Sequence, residues 1–461
     1  MGLELAKLER LLAEAVGHDN VLVGDAVGDD YGHDEALTAA PQRPTAVVRP
    51  GSTDDVVGVV RIADEHRLPV TARGSGTGLA GACVPQADGV VVSFERMNRI
   101  REIDEDNFVA VVEPGVTLHQ LDAELAPRRL VYPVFPGEYS SSLGGNVNTN
   151  AGGMRAVKYG VTRHHVLGVE AVLASGEVIT CGGKIVKVST GYDLTQLILG
   201  SEGTLALVTQ AILKLYPRLP HGATLLAPFA NLDEVTTAVP KIVGSGVGPL
   251  ILEYIDMLTM AAATAHVGLD LGIPDDVRSQ AQAYLVVALE NSQADRLDQD
   301  TETTGELLQA LGAMDVYVLP PAAAGQLIEA REKAFWVAKA SGADDIIDVV
   351  VPRAAVPAFM ARVGEIAAEH QSLIAGCGHA GDGNVHMAVF QPDPEIRGRI
   401  MRSLFGAGMG LGGAISGEHG LGREKKGYFL ALEDPAKIAL MRRIKAAFDP
   451  HGILNPGVIF D

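Results

Sequence analysis

The chain has few cysteines, few aromatic residues and a deficit of positive charge. Its 461 residues include only Cys83, Cys181 and Cys377, with no C-x-x-C pair. That pattern excludes a disulfide framework and fits a reducing compartment. Lysine and arginine number 37 against 57 acidic residues, which gives a net charge of −20. This charge argues against nucleic acid as a partner, because phosphates need a basic surface.

The sequence also lacks long apolar runs and internal repeats. No uncharged apolar run reaches the ~18 residues that a transmembrane helix needs. The amino terminus mixes leucine with charged residues, so it predicts an amphipathic helix and not a signal peptide. We therefore expect a cytoplasmic protein that meets a membrane only peripherally, through a partner. A chain of 461 residues is too long for one core, which predicts two or three domains, and its hydrophobic content of 47% predicts that they are well buried.

The pattern of the chain changes at Pro217-Arg218-Leu219-Pro220. Before this point, short β-branched runs alternate with glycine-rich loops. After it, helix-length patterns alternate with strands, which predicts an α/β layer. The sequence thus predicts an α+β chain with an N-terminal helical segment (1–41), a first domain (42–218), a second domain (219–425) and a C-terminal segment (426–461).

Three glycine-rich stretches lie in the first domain. Arg73–Gly81 has four glycines in nine residues, so its N–H groups can surround one anion, such as a pyrophosphate. No Gly-Lys-Ser/Thr follows, which excludes a Walker A loop, and no clear helix follows, which disfavours a Rossmann fingerprint. The stretches 136–153 and 199–205 are similar in composition. Ordinary tight turns are one interpretation, and a single large cofactor is the one that three such loops favour.

A metal-site pattern occurs in the second domain. His379 and His386 are seven residues apart, and Gly417–Gly420 adds a glutamate and a histidine. Glycines between the two histidines disfavour a helix, and one straight strand would place them on opposite faces. A hairpin of Leu373–His379 and Asn384–Phe390 would let both imidazoles converge. Two histidines and a glutamate suit a catalytic metal site, whereas the alternative is two unrelated histidines beside a turn.

The glycine-rich stretches and the metal-site pattern, in their order along the chain, resemble those of the FAD-dependent D-2-hydroxyacid dehydrogenases. Four further motifs contribute to the resemblance: Pro114-Gly115-Val116, Tyr159-Gly160, Gly191-Tyr192-Asp193-Leu194 and Asn455-Pro456-Gly457. This group of vanillyl-alcohol-oxidase-type flavoproteins contains D-lactate dehydrogenases, glycolate oxidase flavin subunits and D-2-hydroxyglutarate dehydrogenases. The resemblance covers nearly the whole chain from about residue 42. It implies a two-part FAD-binding domain that the C-terminal segment rejoins, and a substrate or cap domain with a ferredoxin-like sheet. FAD should be non-covalent, because the first glycine loop contains no histidine.

The resemblance also implies roles for particular residues. His379, His386 and Glu418 match the ligands of a divalent metal, for which zinc is the first choice, while manganese, iron and cobalt also suit the ligand set. His419 matches the general base, and Arg331 matches an arginine that clamps the substrate carboxylate. The residues that match the FAD site are Arg73, Gly74, Ser75, Gly76, Thr77, Gly78, Gly81, Pro136, Gly137, Ser141, Gly144, Gly145, Asn146, Thr149, Asn150, Gly152, Gly153, Tyr159, Gly160, Glu202, Gly203 and Asn455.

Two positions favour a small monocarboxylate as substrate. Ile346 and Ala388 stand where the hydroxyglutarate enzymes have a lysine and an asparagine, so a second carboxylate would lack polar partners. The resemblance then implies oxidation of a small D-2-hydroxyacid, D-lactate above others, to the 2-oxoacid, with hydride passing to flavin N5. The alternatives are a glycolate-oxidase-type flavin subunit of an electron-transfer assembly, a D-2-hydroxyglutarate dehydrogenase and a flavin oxidase. Quinone, an electron-transfer flavoprotein, a cytochrome and a partner subunit all stay open as the electron acceptor.

Overall fold

The computed structural model, which describes residues 4–460, begins with a four-stranded sheet covered by two helices. Its elements are α1 (Leu5–Val16), β1 (Val21–Val23), β2 (Ala46–Val48), α2 (Thr53–His66), β3 (Val70–Arg73) and β4 (Val90–Ser93). The strand order is β1-β2-β4-β3, in which β1 is antiparallel and the others are parallel. Leu8, Leu12 and Val16 recur every four residues and are buried, so one face of α1 joins the core of this sheet.

A five-stranded antiparallel sheet follows, in the order β5-β6-β10-β8-β9. This part consists of β5 (Ile100–Asp104), β6 (Val109–Val112), α3 (Leu118–Leu125), β7 (Leu130–Val131), α4 (Leu143–Thr149), α5 (Ala156–Tyr159), β8 (Val166–Val172), β9 (Val178–Gly182), α6 (Leu194–Ile198), β10 (Leu207–Lys214) and β11 (Tyr216–Pro217). The glycine-rich stretch 136–153 is therefore not all loop. It forms α4 because the Ser142 side chain accepts a hydrogen bond from Gly145 N and caps the helix.

A seven-stranded antiparallel sheet forms most of the remaining chain, in the order β15-β12-β14-β13-β17-β18-β16. Its elements are β12 (His221–Phe229), α7 (Leu232–Gly244), β13 (Ile251–Asp256), α8 (Met257–Val267), α9 (Asp275–Gln280), β14 (Ala283–Asn291), α10 (Ala294–Ala310), β15 (Tyr317–Val318), α11 (Pro321–Glu332), α12 (Ala334–Ala340), β16 (Asp345–Val350), α13 (Val356–Glu369), β17 (Leu373–His379), β18 (Asn384–Phe390) and α14 (Pro394–Gly410). Helices α7, α10, α13 and α14 pack on one face, and α8 and α11 pack on the other. The mixed architecture that the sequence predicts is confirmed.

The predicted hairpin is present with the predicted bounds. β17 and β18 are antiparallel, and the four-residue turn between them carries Gly383 at a positive φ of 89°. After α14 come α15 (Lys426–Leu432) and α16 (Pro435–Phe448), which Asp434 caps by accepting from Ala436 N. The domain boundaries that the sequence suggests stay predictions.

The last residues return to the first sheet. Val70 N donates to Ile453 O at 2.8 Å, and Asn455 N donates to Val70 O at 2.7 Å. The C-terminal segment therefore closes against the same strand that leads into the first glycine loop. Within residues 4–460, none of the helices has both the length and the apolar character needed to cross a membrane.

Candidate functional site

The three predicted ligand side chains meet at the end of the hairpin. His379 ends β17, His386 lies in β18, and Glu418 comes from the loop that follows α14. Glu418 Oε1 lies 3.2 Å from His379 Nε2 and 3.3 Å from His386 Nε2. The spacing of seven works because His386 pairs with Cys377, two residues before His379, which places both imidazoles on one face of the sheet.

This cluster fits a divalent cation. His386 Nε2 and Glu418 Oε2 are buried and have no hydrogen-bond partner within residues 4–460. His379 Nδ1 lies 2.6 Å from Glu253 Oε1, which leaves Nε2 for the cluster. Burial alone would lower the pKa of His379, but Glu253 and Glu418 raise it well above its ordinary value. The pKa of His386, by contrast, lies well below its ordinary value because of burial. Two imidazoles and a carboxylate are a donor set of catalytic zinc sites.

A second set of donors, formed by Asp348, His386 and His419, fits a cation less well. Its candidate ligand atoms also lie within 4.8 Å of one another. The carboxylate of Asp348, however, already accepts five hydrogen bonds from the protein. A carboxylate with its oxygens committed to donors has little capacity left for a metal. We therefore assign the candidate cation site to the first set.

Arg331, which the resemblance matches to a carboxylate-binding arginine, lines a cavity at the candidate cation site. Its Nη2 is 2.7 Å from Glu253 Oε2, and its side chain is 11% exposed. Its Nε is buried without a hydrogen-bond partner in the part of the chain that the structure describes. The cavity, about 270 Å³, is lined by Arg331 and by all three residues of the candidate cation site. An arginine with free donors in such a cavity suits an incoming carboxylate.

The loop Ser416–Gly422 is held by the buried carboxylate of Asp348 in β16. Its Oδ2 accepts from the Ser416 hydroxyl at 2.7 Å and from the main-chain N–H groups of residues 417–419 at 2.8–3.1 Å. Its Oδ1 accepts from Asn384 Nδ2 at 2.9 Å. These bonds and the nearby His419 and Lys425 keep the pKa of Asp348 far below its ordinary value, although burial acts in the opposite direction.

Glu202 fixes the other end of this loop. Its carboxylate accepts from Leu421 N at 2.8 Å and from Gly422 N at 2.7 Å. Asn455 Nδ2 donates to the main-chain oxygen of Glu202 at 2.7 Å, so the C-terminal segment braces the same point. The resemblance implies that Glu202 and Asn455 bind the cofactor, whereas in the structure their side chains hydrogen-bond to the protein itself. They border a cavity while holding the loop that carries Glu418 and His419.

His419 is placed between two carboxylates. Its Nδ1 lies 3.9 Å from Asp348 Oδ2, and its Nε2 lies 4.0 Å from Glu418 Oε1. Burial lowers the pKa of His419. The negative charge of Asp348 acts in the opposite direction, but the net effect is a pKa below the ordinary value. A neutral imidazole can accept a proton, so the site offers a base beside the candidate cation site.

The glycine-rich stretches border two adjoining cavities next to this site. The predicted FAD-site residues that line them or the neighbouring site cavity are Gly74, Ser75, Gly76, Thr77, Gly78, Pro136, Gly137, Ser141, Gly144, Gly145, Asn146, Thr149, Gly152, Glu202, Gly203 and Asn455. Ser141 Oγ and Asn146 Nδ2 are buried there without a hydrogen-bond partner in residues 4–460. Unpartnered polar groups on a glycine-lined cavity fit a large polar cofactor.

Six of the predicted FAD-site residues lie outside these cavities. They are Arg73, Gly81, Asn150, Gly153, Tyr159 and Gly160. Arg73 Nη1 donates to the main-chain oxygen of His33, and the Tyr159 hydroxyl donates to Glu290 of β14 at 2.6 Å. Asn150 ends α4 in the left-handed conformation, and the three glycines have positive φ values. These residues shape the chain around the cavities and do not line them.

Sequence reasoning missed Glu253 and Asp348, the two carboxylates that brace the site. Both lie inside strands whose neighbouring positions are mostly apolar, Ile251–Asp256 and Asp345–Val350, and both are almost completely buried. A lone acid inside an apolar strand is the signal that could have found them, because a buried charge needs a partner.

Family models match both parts of the chain. The model described as "FAD binding domain" matches residues 44–182, and "FAD linked oxidases, C-terminal domain" matches residues 218–459. An "Uncharacterized FAD-linked oxidoreductase" of Mycobacterium tuberculosis is 59% identical over 456 residues, covering 99% of each chain. Glycolate oxidase subunit GlcD of Bacillus subtilis is 37% identical, covering 92% of this chain and 91% of its own. D-lactate dehydrogenase of Anaerostipes hadrus is 35% identical, covering 95% and 94%.

A solved structure agrees on the fold. The 4-ethylphenol oxidase from Gulosibacter chungangensis superposes with a TM-score of 0.80 at 21% identity, covering 99% of this chain and 97% of its own. At that identity the likeness establishes the vanillyl-alcohol-oxidase-type fold alone. The family models and the relatives together show that the chain belongs to the FAD-linked oxidases, within the group that contains D-lactate dehydrogenases, GlcD subunits and D-2-hydroxyglutarate dehydrogenases.

Proposed function

We propose that the protein uses FAD and a divalent cation to oxidise a D-2-hydroxymonocarboxylate, of which D-lactate is the simplest, to the 2-oxoacid. One observation carries this proposal. The candidate cation site of His379, His386 and Glu418 shares a cavity with Arg331 and His419, and the same cavity borders the glycine-rich stretch at Pro136 and Gly137. A substrate held there lies between the cation site and the FAD-binding part. The D-lactate dehydrogenase relative, at 35% identity, supports the same substrate class.

The roles of the protein groups follow from their positions. Bound FAD would take the hydride from C2, and a bound zinc, manganese, iron or cobalt ion would polarise the hydroxyl. Arg331 would bind the substrate carboxylate through paired N–H donors and so orient C2. His419 would accept the hydroxyl proton at Nε2, while Asp348, which faces Nδ1, would stabilise the protonated ring. His379 and His386 would hold the cation through Nε2.

The environment of the cavity supports a monocarboxylate over a dicarboxylate. Ile346 and Ala388 are directly paired across β16 and β18, and both side chains line the cavity. Neither can donate to a second carboxylate, and an unpaired buried charge is unfavourable. This is the reason for ranking D-2-hydroxyglutarate below D-lactate.

The GlcD relative supports a second candidate, a flavin subunit that oxidises glycolate in an electron-transfer assembly. In both cases the reduced flavin would pass its electrons to a separate acceptor, such as a quinone, an electron-transfer flavoprotein, a cytochrome or a partner subunit. A purified chain that turns over with an artificial dye as acceptor would favour an independent dehydrogenase. Turnover that requires a copurifying subunit would favour the assembly.

We predict that D-lactate bleaches the oxidised-flavin absorbance of the purified protein under anaerobic conditions, and that prior removal of the cation by a chelator abolishes this. Restoring zinc or manganese should restore bleaching, and L-lactate is the matched control that should leave the spectrum unchanged. The measurement is a visible-absorbance titration. A flavin that no D-2-hydroxyacid bleaches, with the cation present, would refute the proposed function.

A further inference from the structure

We infer that the preferred substrate carries an apolar side chain longer than the methyl group of D-lactate, and that this side chain binds in an apolar chamber beside the candidate cation site. This inference rests on the proposed function and names the substrate class for the same site. The chamber is defined by Ala375, Ala388 and Ile346 on the sheet, by the paired residues Leu373 and Phe390 beyond them, and by the facing helices α8 and α12.

The register of the sheet places the chamber next to the candidate cation site. In β17 and β18, Cys377 pairs with His386, and the next pair on the same face is Ala375 with Ala388. Ile346 of β16 pairs with Ala388 and completes this row. Successive rows on one face are about 7 Å apart, since two residues separate them. The face therefore changes from metal-binding to fully apolar within one step along the strands.

A further apolar row extends the chamber to solvent. Leu373 pairs with Phe390, and Leu373 is 50% exposed. This row lies about 13 Å from the row of His386, because four strand residues separate them. The chamber therefore runs from the cation site to an open mouth, and it is not a closed core that neighbouring side chains fill.

The opposite wall of the chamber is mostly apolar. Leu258 and Ala262 of α8, and Phe335 and Ala338 of α12, line it. Its polar members are two hydroxyl residues, Thr259 and Ser341, and the Ser341 hydroxyl donates to Val337 O at 2.7 Å. Alanines on both walls leave a gap between the sheet and the helices, which a larger residue at these places would close. A methyl group beside the cation site would leave these walls in contact with water, whereas a longer alkyl chain would cover them.

The charges at the cavity select for such a chain. Within the described residues that line it, Arg331 is the one arginine and there is no lysine. Arg331 is expected to bind the carboxylate next to the reacting carbon, so no further cation is left for a charge at the far end of the substrate. A terminal carboxylate in the chamber would therefore lose its hydration without compensation. A D-2-hydroxyacid with an apolar side chain covers the apolar walls and places no charge in the chamber.

The test is rapid anaerobic flavin reduction by the cation-loaded protein with D-lactate, D-2-hydroxybutyrate, D-2-hydroxyhexanoate and D-2-hydroxyoctanoate. Following reduction alone removes the electron acceptor from the comparison. We expect the second-order rate constant to rise roughly fourfold for each CH₂ group that the chamber removes from water, until the chamber is filled. D-2-hydroxyglutarate should react more slowly than D-2-hydroxyhexanoate.

Two variants tie the effect to the chamber. Ala388→Leu and Ala375→Leu should each lower the ratio of the hexanoate rate constant to the lactate rate constant by tenfold or more, because leucine fills the row beside the cation site. Ala310→Leu, at an exposed position of α10 on the opposite face of the sheet, is the control and should keep the wild-type ratio. Flavin content and the melting temperature identify a leucine variant that has not folded. In that case the other leucine variant provides the test.

The outcomes separate the two proposals. D-lactate reacting as fast as the longer acids would overturn the chamber while leaving the proposed function intact. A chain-length preference that survives both leucine variants would also overturn it, since the alkyl chain would then bind elsewhere. Failure of every D-2-hydroxyacid to reduce the flavin would overturn the proposed function and this inference together.

Discussion

Replacement of His419 by alanine is expected to slow flavin reduction by D-2-hydroxyacids ~10²–10⁴-fold, the usual contribution of a general base. His419 lies at the candidate cation site without a place among its three assigned ligands, and its Nδ1 faces the buried carboxylate of Asp348. The variant should therefore keep its FAD and its cation. Stopped-flow reduction, the flavin spectrum and metal analysis measure the three properties on one sample.

Two comparison variants make this result specific for His419. His386→Ala should lose both the cation and activity, because it removes a proposed ligand. His18→Ala, which changes a histidine whose side chain is 84% exposed, should match the wild type in all three measurements. If His419→Ala loses the cation as His386→Ala does, His419 is a ligand and the alternative donor set with Asp348 is correct. If His419→Ala reduces its flavin at the wild-type rate, His419 has no role as base.

The hairpin of the site was predictable from sequence because its signals lie close together along the chain. The hairpin that places His379 and His386 on one face has the predicted bounds, because glycines mark the turn and short, mostly apolar runs flank it on both sides. The glycine-rich stretch 136–153 was predicted less well. Its small polar residues indicated a loop, but Ser142 caps a helix there and tertiary packing stabilises it.

The bracing of the site could not be predicted in the same way, because it depends on strand neighbours that are distant in sequence. Asp348 reaches its donors in Ser416–His419 because β16 lies beside β18 at the edge of the sheet. Glu253 meets His379 because β13 pairs with β17, and it meets Arg331 because α11 packs on that face of the sheet. No spacing along the chain encodes these pairings. The same holds for the apolar chamber, whose row of Ala375, Ala388 and Ile346 exists only once three strands are in register.

Conversion of Asp348 to asparagine is expected to destabilise the protein by about 3–5 kcal/mol and to abolish flavin reduction by substrate. Both oxygens of Asp348 face donors, so an amide must turn its NH₂ group toward at least one of them. Lys425, buried with its Nζ 3.7 Å from Asp348 Oδ2, would lose its counter-charge. The loop that carries Glu418 and His419 would lose its anchor. Chemical denaturation and stopped-flow reduction measure the two effects.

Asp345→Asn is the matched control, because Asp345 lies on the same strand and is also largely buried. Burial raises the pKa of Asp345 to about 6, so its charge at neutral pH opposes folding, and Asp345→Asn should be at least as stable as the wild type. Asp348 is the opposite case, a buried carboxylate whose charge its surroundings favour. Equal stability of Asp348→Asn and Asp345→Asn would contradict this distinction. A stable Asp348→Asn that still loses activity would place the role of Asp348 in orienting His419, because the fold would then not depend on its charge.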